Sequence, residues 1–174
     1  DGININNMNL KDLRRNISVV LQDVFLFSGS IKDNITLHTP IPDEEVEKAI
    51  KLSCADEFIR ELPRQMDEPV TERGSTFSAG QRQLLAFART IAHNPSIFVL
   101  DEATANIDTK TEKLIQQSIK NVSAGRTTLI IAHRLSTIRD ADVIFIIKKG
   151  RIVEKGNHEE LLKLGGYYSR LNAV

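Results

Sequence analysis

The stretch Ile97-Phe98-Val99-Leu100-Asp101-Glu102 decides the fold. Its four successive apolar residues predict a strand buried on both faces, the habit of a parallel sheet. Two adjacent acids follow at once, so both carboxylates fall at the carboxyl end of the strand, where open α/β sheets bind ligands. An acidic pair can also simply cap the next helix.

Working upstream, a strong helix starts at Ser78. Leu84, Leu85, Ala88, Ile91 and Ala92 form one apolar face, and His93-Asn94-Pro95 ends it. A helix amino terminus exposes unpaired N–H groups and positive dipole, which suits an anion such as phosphate. Ser78 can cap it, and Gly80 would let the backbone come close to a ligand. Residues 64–77 read as a loop. Helices are predicted at 55–62 and from Asp43, an N-cap after Pro42; another could begin near Ser30. The opening reads as a turn or short hairpin, a small helix, and a strand in which Ile17, Val19 and Leu21 alternate before Gln22.

Downstream, Thr109-Lys110-Thr111-Glu112 reads as a capping box that opens a helix to about Val122. Residues 127–131 predict another buried strand, running into Ala132-His133 at the same sheet edge as Asp101 and Glu102. A short helix follows near 135–139. Strands at 143–147 and 151–154 form a hairpin across Lys149-Gly150. Asn157 caps a helix through Leu164, which Gly165-Gly166 breaks. The alternation of strand and helix predicts an α/β fold with a largely parallel sheet, and the stretch between Gln22 and Ser78 reads as a helical insert without a confident strand.

Composition narrows the functions. The 174 residues are 41% hydrophobic, ordinary for a globular chain. Lys and Arg number 23 against 23 Asp and Glu, and this lack of basic excess disfavours nucleic acid as the partner. The longest aliphatic or aromatic run, 143–147, is far short of the ~20 apolar residues that span a bilayer. Cys54 is the only cysteine, which excludes an intrachain disulfide and fits a reducing compartment; it reads as a small apolar residue on a helix face. The first residue is Asp1, and so abrupt a start reads as that of a fragment.

Taken together and in order, these motifs resemble the ATP-binding-cassette family over nearly the whole chain. Gln22 before Asp23 resembles the Q-loop glutamine. Phe77-Ser78-Ala79-Gly80-Gln81 resembles the signature motif, with Phe77 for the usual Leu and Ala79 for the first Gly. Residues 97–101 with Glu102 resemble Walker B and the catalytic glutamate, Ala105-Asn106-Ile107-Asp108 the D-loop, and His133 the switch histidine. Residues 22–35, Thr71-Glu72-Arg73-Gly74 and the tail 156–171 resemble the exporter branch.

The resemblance implies a P-loop NTPase-type core at 1–24 and 94–174, with a helical subdomain at 25–93. It implies ATP and Mg²⁺ as cofactors. Glu102, His133 and Gln22 would be catalytic; Ser78, Ala79, Gly80, Gln81 and Asp108 would face nucleotide; Asp101 and Gln22 would hold Mg²⁺. It further implies a head-to-tail dimer with a second nucleotide-binding domain, transmembrane partner domains, and a place at the cytoplasmic face of the cell membrane. No Gly-x-x-x-x-Gly-Lys-Ser/Thr loop occurs in the 174 residues, so the expected phosphate cradle is one that the family carries upstream of the Asp1-Gly2 segment. A soluble non-transport cassette ATPase, or a silent module lending its signature to a partner, are the alternative readings.

Overall fold

The computed structural model describes residues 2–71, 74–101, 107–132 and 135–172, with the backbone alone at Ser136. It forms two compact units, residues 1–131 and 132–174.

In the first unit a 3₁₀ turn at Ile5–Asn7 precedes helix α1 (Leu10–Arg15) and strand β1 (Ile17–Val20). Strand β2 (Gly29–Ser30), helices α2 (Ile31–Thr36), α3 (Asp43–Leu52) and α4 (Asp56–Glu61), and strand β3 (Pro69–Val70) come next. Helix α5 (Ala79–His93), strand β4 (Ile97–Asp101), helix α6 (Thr109–Ser123) and strand β5 (Thr127–Ile131) complete it. Strands β1, β4 and β5 form a three-stranded parallel sheet in that spatial order. Parallel neighbours need long crossovers, and α6 supplies the one between β4 and β5.

Helix α5 is the hub, packing on α2, α3, α6 and β1. Its apolar face, Leu84, Leu85, Phe87 and Ala88, is fully buried in one cluster with Val20, Phe98 and Leu100 of the sheet and Ile115, Ile119 and Val122 of α6. Phe87 and Phe98 meet edge to face at 6.2 Å. Burying side chains of this size contributes about 1.5–3 kcal/mol each. Polar ties set the register: Ser18 Oγ and Thr90 Oγ1 lie 2.9 Å apart, and Ser118 Oγ donates to Ser53 O at 2.6 Å.

The second unit holds α7 (Leu135–Ile138), strands β6 (Ile144–Lys148) and β7 (Arg151–Gly156), and helices α8 (His158–Leu164) and α9 (Tyr167–Asn172). The hairpin turns at Lys149 and Gly150, both at positive φ (49° and 73°), as a type I′ turn requires. Ile144, Leu161 and Tyr168 make its small core, with Leu135, Ile138 and Ala141 against it. Tyr168 Oη lies 2.6 Å from His158 Nδ1.

Several sequence expectations need correction. Residues 64–77 are not all loop: they hold a 3₁₀ turn at Gln65–Asp67 and β3, which pairs antiparallel with β2, so the insert does carry strand. Strands of two residues are too short to show a period. Asp43 is the first residue of α3 rather than its cap, which is Pro42. Cys54 lies past the end of α3 at φ 56°, half-buried, not on a helix face. The cap of α6 is Asp108, whose side chain accepts from Thr111 N, one residue ahead of the expected Thr109.

Strand β4 is fully buried on one face only, and β5 is no more than half-buried on that face. Phe98 and Leu100 point into the core, whereas Ile97, Leu129 and Ile131 are 38%, 55% and 52% exposed. Val19 and Leu21 add 53% and 59% beside them. Helix α9 was not anticipated.

Candidate nucleotide site

Register brings the candidate residues of the sheet to one edge. Val20 pairs with Leu100, Leu100 with Ile130, and Asp101 with Ile131, so the three parallel strands end level. Gln22 follows Val20 by two residues, in an exposed bend. Asp101 is the last residue of β4 and half-buried. Glu102 directly follows Asp101 in sequence and His133 follows Ile131 by two, but both lie outside the described residues. The carboxyl edge of a parallel sheet is where side chains and loop backbone can converge on a ligand.

The second candidate feature is the amino terminus of α5. Ser78 Oγ accepts from Gln81 N at 3.2 Å, and Gln81 Oε1 accepts from Ser78 N at 2.9 Å, a reciprocal capping box. Ser78 and Ala79 are exposed. The first-turn N–H groups of Ala79 and Gly80 have no intrahelical carbonyl to pair with, which leaves them available to an anion. Among the described residues no hydrogen bond joins Ser78 or Gln81 to Gln22 or Asp101; each side chain instead accepts from the backbone N–H of the other residue.

Gly80 itself is buried. A Cβ there would lie 2.2 Å from Thr111 Cγ2, so the close approach at this glycine is to α6, not to open space reserved for a ligand. The amino terminus of α6 thus stands beside that of α5. Its cap, Asp108, is exposed, and hydrogen bonds from the Thr111 hydroxyl and N–H hold its carboxyl below the ordinary value of 3.8.

Sequence reasoning missed a polar brace under residues 25–34. Asn34 is buried; its Oδ1 accepts from Phe27 N at 2.8 Å, and its Nδ2 donates to Phe27 O and Ser30 O. Arg89 of α5 donates to Asn34 O at 2.7 Å and lies over the Phe27 ring at 5.8 Å. Burial holds the guanidinium pKa below its usual value. Only the third dimension pairs Asn34 with Arg89, 55 residues away.

Two shallow polar clefts lie elsewhere. One, lined by Asn94, Ser96, Gly125 and Thr127, is at the amino ends of β4 and β5, opposite the carboxyl edge. No group of three His, Cys, Asp or Glu placed to hold a metal occurs among the described residues.

Residues 1–105, more than half of the chain, match the family described as ABC transporter. The chain belongs to that family. A Streptococcus pneumoniae protein assigned as an ABC transporter ATP-binding protein, exp8, is 55% identical over all 174 residues, which cover 30% of its length. An ATP-dependent lipid A-core flippase of Pseudomonas fluorescens is 47% identical over 176 residues, with 100% of this chain and 29% of the flippase covered. A solved bacterial Atm1-family ABC exporter with ATP bound superposes with a TM-score of 0.87 at 40% identity, over 97% of this chain and 30% of that one. The chain therefore spans about a third of the length of these ABC relatives. The fold agrees with the family match: a parallel sheet flanked by helices, as in the Atm1-family exporter. No helix among the described residues is long and apolar enough to cross a membrane.

Proposed function

We propose that this chain acts within an ATP-hydrolysing cassette that powers export through transmembrane partner domains. The level carboxyl ends of β1, β4 and β5, which bring Gln22 and Asp101 to one edge next to the sequence positions of Glu102 and His133, carry the reading. The exporter relatives support it.

The donors suit Mg²⁺–ATP. A carboxylate and an amide oxygen are hard oxygen ligands of the kind Mg²⁺ takes one or two at a time, and the exposed α5 amino terminus suits phosphate. Bound Mg²⁺–ATP would supply the transferable phosphoryl group and neutralise its charge. Asp101 and Gln22 would hold the metal. Glu102 would take the proton of the attacking water, which Gln22 would help orient, and His133 would hold the terminal phosphate. Ser78, Ala79, Gly80 and Gln81 would offer the first turn of α5 to nucleotide held by a second nucleotide-binding domain, with Asp108 coupling the two sites. We place this machinery at the cytoplasmic face of the cell membrane. The core would comprise 1–24 and 94–174, with the helical subdomain at 25–93.

The test is ATP turnover by the full-length gene product beside its Glu102→Gln variant, with a loss of roughly 10²–10⁴ expected. Equal rates would remove Glu102 from the base role. The 174-residue chain alone, which carries no Gly-x-x-x-x-Gly-Lys-Ser/Thr loop, should show negligible turnover, because phosphoryl transfer depends on positioning and charge stabilisation. Turnover by that chain, suppressed by Glu102→Gln, would refute this.

A further inference from the structure

Thr111 has two arms that serve two different helices. Its N–H donates to Asp108 Oδ1 at 3.0 Å, and its hydroxyl adds a second hydrogen bond to the same carboxylate. Its methyl lies where a Cβ on Gly80 would fall, at 2.2 Å. The next atoms around that point, Thr111 Cβ at 3.4 Å and Ile107 Cγ2 at 3.5 Å, would be in ordinary contact. One methyl group therefore accounts for the whole steric demand at Gly80.

We propose that Thr111 is a positioning residue that locks the amino terminus of α5 to that of α6, its methyl seated on Gly80 and its polar atoms on Asp108. Ser78 and Asp108, each an exposed helix cap, then move as one rigid unit, because any shift of the first turn of α5 displaces the residue that orients Asp108. Packed side chains transmit such shifts, since interiors have little free volume to absorb them. The functional half of the inference rests on the proposed reading of these caps as nucleotide-facing; the packing half does not.

A double-mutant cycle separates the two. In the 174-residue chain, Gly80→Ala should lower Tm by roughly 5 °C or more. Adding Thr111→Ser, which deletes the methyl and keeps the hydroxyl, should restore most of the loss, whereas adding Thr111→Val, which keeps a methyl, should not. If both double variants melt alike, no lock exists. In the full-length gene product, Gly80→Ala should cut kcat by up to about 10²-fold, the scale of an ångström-sized misplacement. Gly80→Ala/Thr111→Ser should recover at least tenfold of it, with KM for ATP little changed. Recovery of Tm without recovery of kcat would mean that Gly80 is needed for direct approach to nucleotide, and would overturn the positioning role. An inactive wild type would sink the ATPase reading and leave the melting cycle to decide the lock.

Discussion

Asp108 caps α6 with an exposed carboxylate, and its neighbours Ile107 and Thr111 are the residues that flank Gly80 of α5. The Thr111 hydroxyl bond and then the N–H bond favour its charged form, so its folded pKa lies below the ordinary 3.8. A depressed acid contributes stability that is present above its unfolded value and is lost as pH falls through its folded one. The difference in Tm between the chain and its Asp108→Asn variant should therefore shrink as pH is lowered from 5 to about 3, a window set by that ordinary value. A difference constant with pH would show that the carboxylate is not held by these bonds. The identity of this cap was one residue beyond the sequence reading. Thr109-Lys110-Thr111-Glu112 fits the capping-box pattern better than the true frame, which has Thr111 where the box needs Glu or Gln, and only the hydrogen bond from Thr111 N to Asp108 settles the cap.

At the scale of elements, local chemistry was most legible where a cap or turn residue leaves little choice. Ser78 with Gln81 and Asn157 with Glu160 both form the reciprocal boxes. Lys149-Gly150 turns the β6–β7 hairpin as expected, and its left-handed backbone yields a stability prediction. Gly150→Ala puts a side chain at φ 73° with open space around it, so the cost is backbone strain alone, about 1 kcal/mol. Thermal unfolding followed by a probe in residues 132–174 should report it, and a gain in Tm would rule out the turn geometry. The β2–β3 pair was illegible for the opposite reason. Two residues pairing across about forty others leave no period in the chain, and the position of Cys54 past the end of α3 is likewise a property of how two helices meet.

For the whole molecule, the largest unused feature is the sheet face formed by Val19, Leu21, Ile97, Leu129 and Ile131, all exposed. An exposed apolar patch of this kind favours association. The 174-residue chain should sediment with a concentration-dependent mass, and Leu129→Lys with Ile131→Lys should shift it toward the monomer. A monomer at all concentrations would contradict this.

The sequence by itself determined the α/β class, the parallel order implied by an apolar run ending in Asp101-Glu102, the helix starting at Ser78, and the family motifs, because each depends on residues close together in the chain. Tertiary structure alone decided that β1, β4 and β5 end level, that Arg89 braces Asn34, that one sheet face is bare, and that Gly80 rests on Thr111. Those facts depend on which surfaces meet across tens of residues, and local periodicity carries no record of the partner on the other side.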